Sequence, residues 1–423
     1  MKRILFILSF LGLMLSATAQ FDSVFYKKSF RMDYIRSGNF ETEWIALENW
    51  YEQADWAGSR NELVDPLGYG KHRVEMRDAT TDTILYSRGY GSLFSEWQTT
   101  AEAKETVRSF SETVVLPYPK MPVQIWLFTR TFEGDWKEVF RIKLDPENYF
   151  IKPAPKMKWP VMNVWGDGDA AEVVDIVLLP DGYTMEELGE FMADAQFFAE
   201  SIFQFEPFRS FKDKFRIRAV LAPSDESGIP VPAEDFWPQT ALGSSFYTFD
   251  SERYCMSYDN RSIRNLAGQV PYDQIYILAN TTKYGGGGIY NYYGLSSSGN
   301  QLSSKVIVHE FGHSFAGLGD EYFDSSTAYS DFYNLETEPW EPNLTTLVDF
   351  DSKWKSLIDT LTPVPTPAVD SMRSVLGVYE GGGYVAKGMF RPMIDCLMNT
   401  FRGEEFCPAC EHAIIQMIEV YSE

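Results

Sequence analysis

The sequence predicts an α+β protein of two units, an antiparallel β-sandwich followed by an α/β domain, and three observations carry that reading. Residues 28–146 form a succession of short β-prone runs separated by Asp-, Gly- and Pro-rich turns. Pro153, Pro155 and Pro160 then punctuate a stretch that also bears lysines, and because proline fixes φ and ends ladders a linker belongs there. Beyond it strand and helix patterns alternate, as in an α/β fold. The expected division is an export signal at 1–19, a β-sandwich at 20–152, a linker at 153–159 and the α/β domain at 160–423.

At the start, Lys2 and Arg3 precede an apolar run from Ile4 to Leu15, and Ala17-Thr18-Ala19 supplies the small residues of a cleavage site. The run falls short of the ~20 residues needed to span a bilayer, as does every later apolar stretch. A secreted or periplasmic protein with no stable membrane insertion after signal cleavage is expected. In the first unit the β-prone runs include Arg73–Met76, Thr83–Ser87, Thr113–Leu116, Val123–Thr129 and Glu138–Leu144. None combines His, Cys and carboxylates at ligand spacing, so a binding or scaffolding module is expected, with His72 an ordinary surface or strand residue. The second unit opens with a buried strand, Val173–Leu179, and the turn Pro180-Asp181-Gly182. A helix follows, entered through Thr184 as N-cap, with Glu186 and Glu187 suited to its N-terminus. Further strands are expected at Phe215–Leu221 and Gln274–Leu278.

Composition narrows the function. With 44% hydrophobic and 16% aromatic residues the chain is globular rather than disordered. Its net charge is −23, and loss of Lys2 and Arg3 leaves 35 basic against 60 acidic side chains, which repels phosphate backbones and argues against nucleic acid as a partner. The sequence assigns no oligomeric state. Four cysteines, Cys255, Cys396, Cys407 and Cys410, in an exported chain predict at least one disulfide, with three pairings open. The cluster of three is also a partial structural zinc site, for which His412 is the nearest fourth ligand.

The chemistry concentrates in Ser303–Tyr322, SSKVIVHEFGHSFAGLGDEY. Ser303 or Ser304 is placed to cap a helix packed through Val306, Ile307, Phe311 and Phe315. His309 and His313, four residues apart, leave the same helical face one turn apart and can grip one metal ion. Glu310, beside the first imidazole, is placed to act as a general base rather than as a ligand. Gly317 can end the helix in the left-handed conformation and turn the chain back, so that Asp320 or Glu321 faces the metal.

HEFGHSFAGLGDEY resembles the signature of the IgA-peptidase family of metallopeptidases, and more distantly the metzincin pattern in which a residue three past a glycine completes a zinc site. That pattern favours Asp320 as third ligand over Glu321, which then buttresses the site as a hydrogen-bond acceptor. Cys396-Leu397-Met398 looks like the methionine turn beneath a metzincin zinc, with Met398 packed under the metal. Asp181-Gly182-Tyr183-Thr184, Glu206-Pro207-Phe208 and Tyr284–Gly288 are similar to the same family. The resemblance spans most of 160–423, and the β-rich part resembles the domain that precedes this unit in the family.

The resemblance implies a secreted zinc endopeptidase with Zn2+ as cofactor and a protein or peptide as substrate, Glu310 activating the zinc-bound water. Two other readings stand beside it: a zinc amidase or deacetylase acting on glycans or peptidoglycan, and a non-catalytic surface-binding protein with a structural zinc. The glycines Gly286 and Gly287 permit close backbone approach and are read either as an edge for a peptide substrate or as a loop without substrate contact. Tyr290, Tyr292 and Tyr293 could offer a phenol to an oxyanion.

Overall fold

A computed structural model describes residues 20–323, 332–400 and 405–422. The expected signal segment, 1–19, lies outside the described residues. Among them no helix is long and apolar enough to cross a membrane.

Eight strands make up the first part: β1 (Phe25–Gly38), β2 (Glu43–Asp55), β3 (His72–Asp78), β4 (Ile84–Tyr90), β5 (Arg108–Pro119), β6 (Val123–Arg130), β7 (Trp136–Leu144) and β8 (Lys152–Pro153). They form two four-stranded sheets, β5-β1-β2-β8 and β4-β3-β6-β7, antiparallel except where β8 joins β2. Alternate residues point inward: Phe30, Met32 and Tyr34 of β1 meet Val74 and Met76 of β3 and Ile125 and Leu127 of β6 in one core. The five β-prone runs fall on β3 to β7. His72 lies on β3 but is fully buried, its ring nitrogens 3.0 Å from Thr129 Oγ1 and 3.1 Å from Ser92 Oγ. Burial holds its pKa well below the usual histidine value.

The second part begins at β9 (Val161–Trp165) and continues through β10 (Val174–Asp181), β11 (Phe215–Val220), β12 (Ser244–Ser245), β13 (Met256–Ser257), β14 (Gln274–Ala279), β15 (Gly286–Ile289), β16 (Tyr293–Ser297), β17 (Tyr379–Gly382) and β18 (Val385–Arg391). Six of these form a mixed sheet, β15-β16-β14-β10-β11-β9, whose central strands are parallel and whose two edges are antiparallel. The central strand β10 is buried along its whole length, as a parallel strand covered on both faces must be. Its alternation divides two cores. Val174, Ile176 and Leu178 face the helices Leu188–Ile202, Ser303–Ala316 and Pro408–Ser422, whereas Val177 and Leu179 face the helix Asn260–Ala267.

That second core also takes Leu93, Phe94, Trp97 and Phe110 from the first part, so apolar packing runs across the expected linker. The chain is irregular from 154 to 160, which holds Pro155 and Pro160, whereas Pro153 lies on β8. Thr184 and Glu187 form a reciprocal capping box, Thr184 N donating to Glu187 Oε2 at 2.8 Å, at the start of a short 3-10 turn that leads into the Leu188–Ile202 helix.

Candidate metal centre and its cleft

The Ser303–Ala316 helix is fixed by its apolar stripe. Ile307, Phe311 and Phe315 are essentially fully buried, and Phe311 stacks on Phe315 with ring centroids 5.1 Å apart. Each such side chain contributes roughly 1.5–3 kcal/mol, enough to hold the helix without a side-chain cap. Indeed Ser303 does not cap it: its Oγ donates to the Ser297 carbonyl at 2.7 Å and accepts from Asn300 N at 3.0 Å, tying the helix start to β16. The other end follows the expectation. Gly317 takes φ 65°, in the left-handed region, and the chain reverses.

The reversal brings Leu318 O to within 2.5 Å of His313 Nδ1, and Leu397 O lies 2.9 Å from His309 Nδ1. A carbonyl only accepts, so each imidazole carries its hydrogen on Nδ1 and turns Nε2 inward. The two Nε2 atoms are 3.1 Å apart, and Asp320 Oδ1 stands 3.1 Å from one and 3.3 Å from the other. Three acceptor atoms thus converge where only a cation or a shared proton satisfies them. Asp320 Oδ1 is buried with no hydrogen-bond donor, while Oδ2 accepts from Tyr322 OH at 2.8 Å and from Tyr384 OH. This donor set, two imidazoles and a carboxylate, suits zinc. Burial opposes charge on Asp320, yet the two imidazoles hold its carboxyl well below the usual carboxylate range. Burial likewise opposes protonation of His313, but Asp320 outweighs it and carries the imidazole up to about 9.

Glu310 lines the same cleft, a cavity of about 530 Å³. Burial raises its carboxyl above the usual range, with His309 and His313 offsetting part of the effect. The edge strand β15 lies against this face of the helix. A Cβ on Gly286 would meet Glu310 Cγ at 3.2 Å, and one on Gly288 would stand 2.2 Å from the Glu310 carbonyl oxygen. Glycine at 288 is therefore required by helix-to-strand approach, at 286 by Leu295 O of the neighbouring strand at 2.7 Å, and at 287 by Tyr254 Cε2 at 2.5 Å. Gly286 donates to Arg253 O and accepts from Cys255 N, both at 3.1 Å, so its outward backbone groups are already paired within the chain.

Asp320 and Glu321 part company. Glu321 is fully buried on the far side, where its Oε1 accepts from Asn343 Nδ2 at 3.0 Å and from Cys410 Sγ at 3.2 Å. Cys396, Cys407 and Cys410 gather there as free thiols in place of the expected disulfide, with Cys396 and Cys410 sulfurs 3.8 Å apart where a bond needs about 2.05 Å. Cys255 sits apart in the other core, and His412 is exposed. Met398 is fully buried below the helix, its sulfur 3.0 Å from where a Cβ on Gly312 would stand. Of the tyrosines, Tyr293 spends its hydroxyl on Ser257 O at 2.6 Å, and Tyr290 approaches Met417 Sδ at 3.6 Å in the core. Tyr290 still borders the cleft, as do Tyr254, Tyr284, Tyr322, Tyr333 and Tyr384, whereas Tyr292 and Tyr293 do not line it. Tyr322 stands in the quoted motif beside Asp320. Tyr384 and Arg253, whose Nη2 lies 3.3 Å from Tyr322 OH, come from remote segments.

Comparison with known families finds two matches along the chain. The profile for IgA peptidase M64 matches residues 162–374 and 368–418, which contain every residue of the centre, and the profile for the peptidase M64 N-terminus matches residues 20–141. No curated protein is similar enough to add to that match. The chain belongs to the IgA peptidase M64 family.

Proposed function

We propose that the protein is a secreted, zinc-dependent endopeptidase in which His309, His313 and Asp320 hold the ion and Glu310 is the general base. The observation that carries this reading is the convergence of the buried Asp320 Oδ1 on two inward Nε2 atoms at 3.1 and 3.3 Å. A zinc ion bound there supplies Lewis acidity and brings the pKa of a bound water toward ~7. Glu310, partly exposed on the cleft side of the same helix, takes the proton of the attacking water on its carboxylate and passes it to the departing amine. Burial raises its pKa, the direction that helps a carboxylate hold the proton between the two transfers. Leu318 O and Leu397 O keep the imidazoles in one tautomer, and the phenols of Tyr322 and Tyr384 hold the Asp320 carboxylate still.

The left-handed turn at Gly317, the acidic residue three beyond it and Met398 beneath the helix support a metzincin-like arrangement. We read residues 20–152 as the scaffolding unit, since Lys71, Glu96 and Arg130 of that unit line the same cleft as the helix residues His309, Glu310 and His313. Export rests on residues 2–19, and N-terminal sequencing of the mature protein is expected to begin at Gln20.

The test is digestion of casein and of immunoglobulin with and without a chelator. Fragments that disappear with chelator and return with zinc support the peptidase. Release of acetate or amino sugar from glycans, with both proteins left intact, overturns it in favour of an amidase.

A further inference from the structure

We infer a second metal site, built from Glu321, Cys396, Cys407 and Cys410, that binds a structural zinc ion beside the first. One ligand atom from each of the four lies within 4.8 Å of all the others, and none of the four residues is more than 2% exposed. A tetrahedral zinc with Zn–S bonds of about 2.3 Å separates its sulfurs by about 3.8 Å. Cys396 and Cys410 are 3.8 Å apart. A thiolate and a carboxylate oxygen on the same ion stand about 3.5 Å apart, and Glu321 Oε1 lies 3.2 Å from Cys410 Sγ and 4.0 Å from Cys407 Sγ.

Two further features point to a ligand rather than to a fortuitous cluster. Glu321 Oε2 is buried with no hydrogen-bond partner, and a carboxylate stripped of water in that way requires a cation or a proton. The backbone N–H of Cys407 points at Cys396 Sγ from 3.3 Å, a donor placed for a thiolate. Asn343 orients the carboxylate: its Nδ2 donates to Glu321 Oε1, and its amide clamps Gly319 by accepting from N at 2.7 Å and donating to O at 2.9 Å. Three thiolates, one carboxylate and a divalent ion leave the same formal charge as a four-cysteine zinc site, and loading releases the thiol protons to solvent. A Cys396–Cys410 disulfide, by contrast, would leave Cys407 and Glu321 stranded.

The position gives the site a role. Glu321 follows Asp320 directly, and its N–H donates to Met398 O at 2.8 Å, while Cys396 adjoins Leu397, whose carbonyl orients His309. An ion at the cysteines therefore joins the two segments that shape the first centre, with Cys410 anchoring both to the Pro408–Ser422 helix.

Elemental analysis of the full mature chain, purified without chelator, is expected to find two zinc per chain, one of which remains in His309→Ala/His313→Ala. X-ray absorption at the zinc edge of that double variant should read three sulfurs near 2.3 Å and a light atom, and adding Cys407→Ser should remove the ion. The absorption spectrum decides the matter even if the cysteine variant fails to fold. A metal-free double variant, a sulfur-free shell, or a wild-type mass two hydrogens short from a disulfide overturns the inference. A wild-type chain with one sulfur-bound zinc, retained in the double variant, upholds it while refuting the peptidase centre.

Discussion

In the candidate site β15 lies close against the Ser303–Ala316 helix, and Gly288→Ala tests what that approach is for. The added Cβ would stand 2.2 Å from Glu310 O and 3.0 Å from His313 Cβ. Carbon and carbonyl oxygen tolerate about 3.3 Å, so strand and helix must separate by about 1 Å. Overpacking of that kind costs about 1–3 kcal/mol. At roughly 2–4 °C per kcal/mol for a domain of this size, Tm should fall by about 2–12 °C. The larger effect falls on chemistry, because a displacement of about 1 Å at reacting groups costs about 100-fold in rate. Thermal unfolding and kcat/KM on a peptide substrate, with zinc content measured in parallel, read both. Gly189→Ala is the control: this glycine lies exposed in the Leu188–Ile202 helix with nothing near its Cβ position, and alanine there should stabilise by about 0.4–1 kcal/mol. A Gly288→Ala protein with wild-type Tm and turnover would refute the claim that glycine at this position sets the geometry of Glu310 and His313.

Three other perturbations bear on the same centre. Glu310→Gln should keep its zinc and lose about 10²–10⁴ in kcat, and full turnover in a metal-replete sample would remove Glu310 from its role. Tyr384→Phe deletes one donor to Asp320 Oδ2 and should weaken zinc binding by about 10–100-fold in a chelator competition, with an unchanged affinity counting against the arrangement. The third concerns pH. Without metal His313 stays protonated up to about 9, because Asp320 outweighs the burial that opposes its charge. Zinc must displace that proton, so its affinity for the imidazole site in Cys407→Ser should rise about tenfold per pH unit from 7 to about 9 and then level. A flat profile would exclude His313 as a ligand.

What the sequence made legible was whatever depends on local spacing. His309 and His313 share a helical face because of a four-residue interval, and Gly317 ends the helix because a left-handed residue is needed there. The Thr184–Glu187 capping box is local in the same way. The separate destinations of Asp320 and Glu321 were harder to read. Adjacent side chains in a non-helical segment project to opposite sides, so one turns to the imidazoles and the other to the cysteines. Which cluster lay on which side depended on Cys396 and Cys410, 75 and 89 residues away from Glu321 in sequence, with only the latter pairing visible as a contact. Long-range partners also hid Tyr384 and the burial of His72, which is satisfied by Thr129 and Ser92 rather than by a neighbour on its own strand. Ser303 misled because a serine at a helix start is a cap by propensity, whereas here its hydroxyl is taken by Ser297 of β16.

The packing between the two parts bears on how the cleft is made. Leu93, Phe94 and Trp97, each nearly or fully buried, sit in one cluster with Ile277, Leu295 and Met256 rather than with the core of the first two sheets. Phe94 and Trp97 also pack on one another and on Phe110 of the first part, so the seam takes a share of the roughly 1.5–3 kcal/mol that each such side chain contributes. Polar contacts bind the same seam: Gly91 N donates to Tyr290 O at 2.7 Å, Asn291 Nδ2 to Gly89 O at 2.8 Å, and Asn260 Nδ2 to Thr113 Oγ1 at 3.0 Å. Tyr290 and Gly91 both line the cleft, so the seam continues into its wall. A first unit that served only as a tether would need none of this. Lys71, just before β3, and Arg130, at the end of β6, line the same cleft as Glu310, and the shared core fixes where those strands lie.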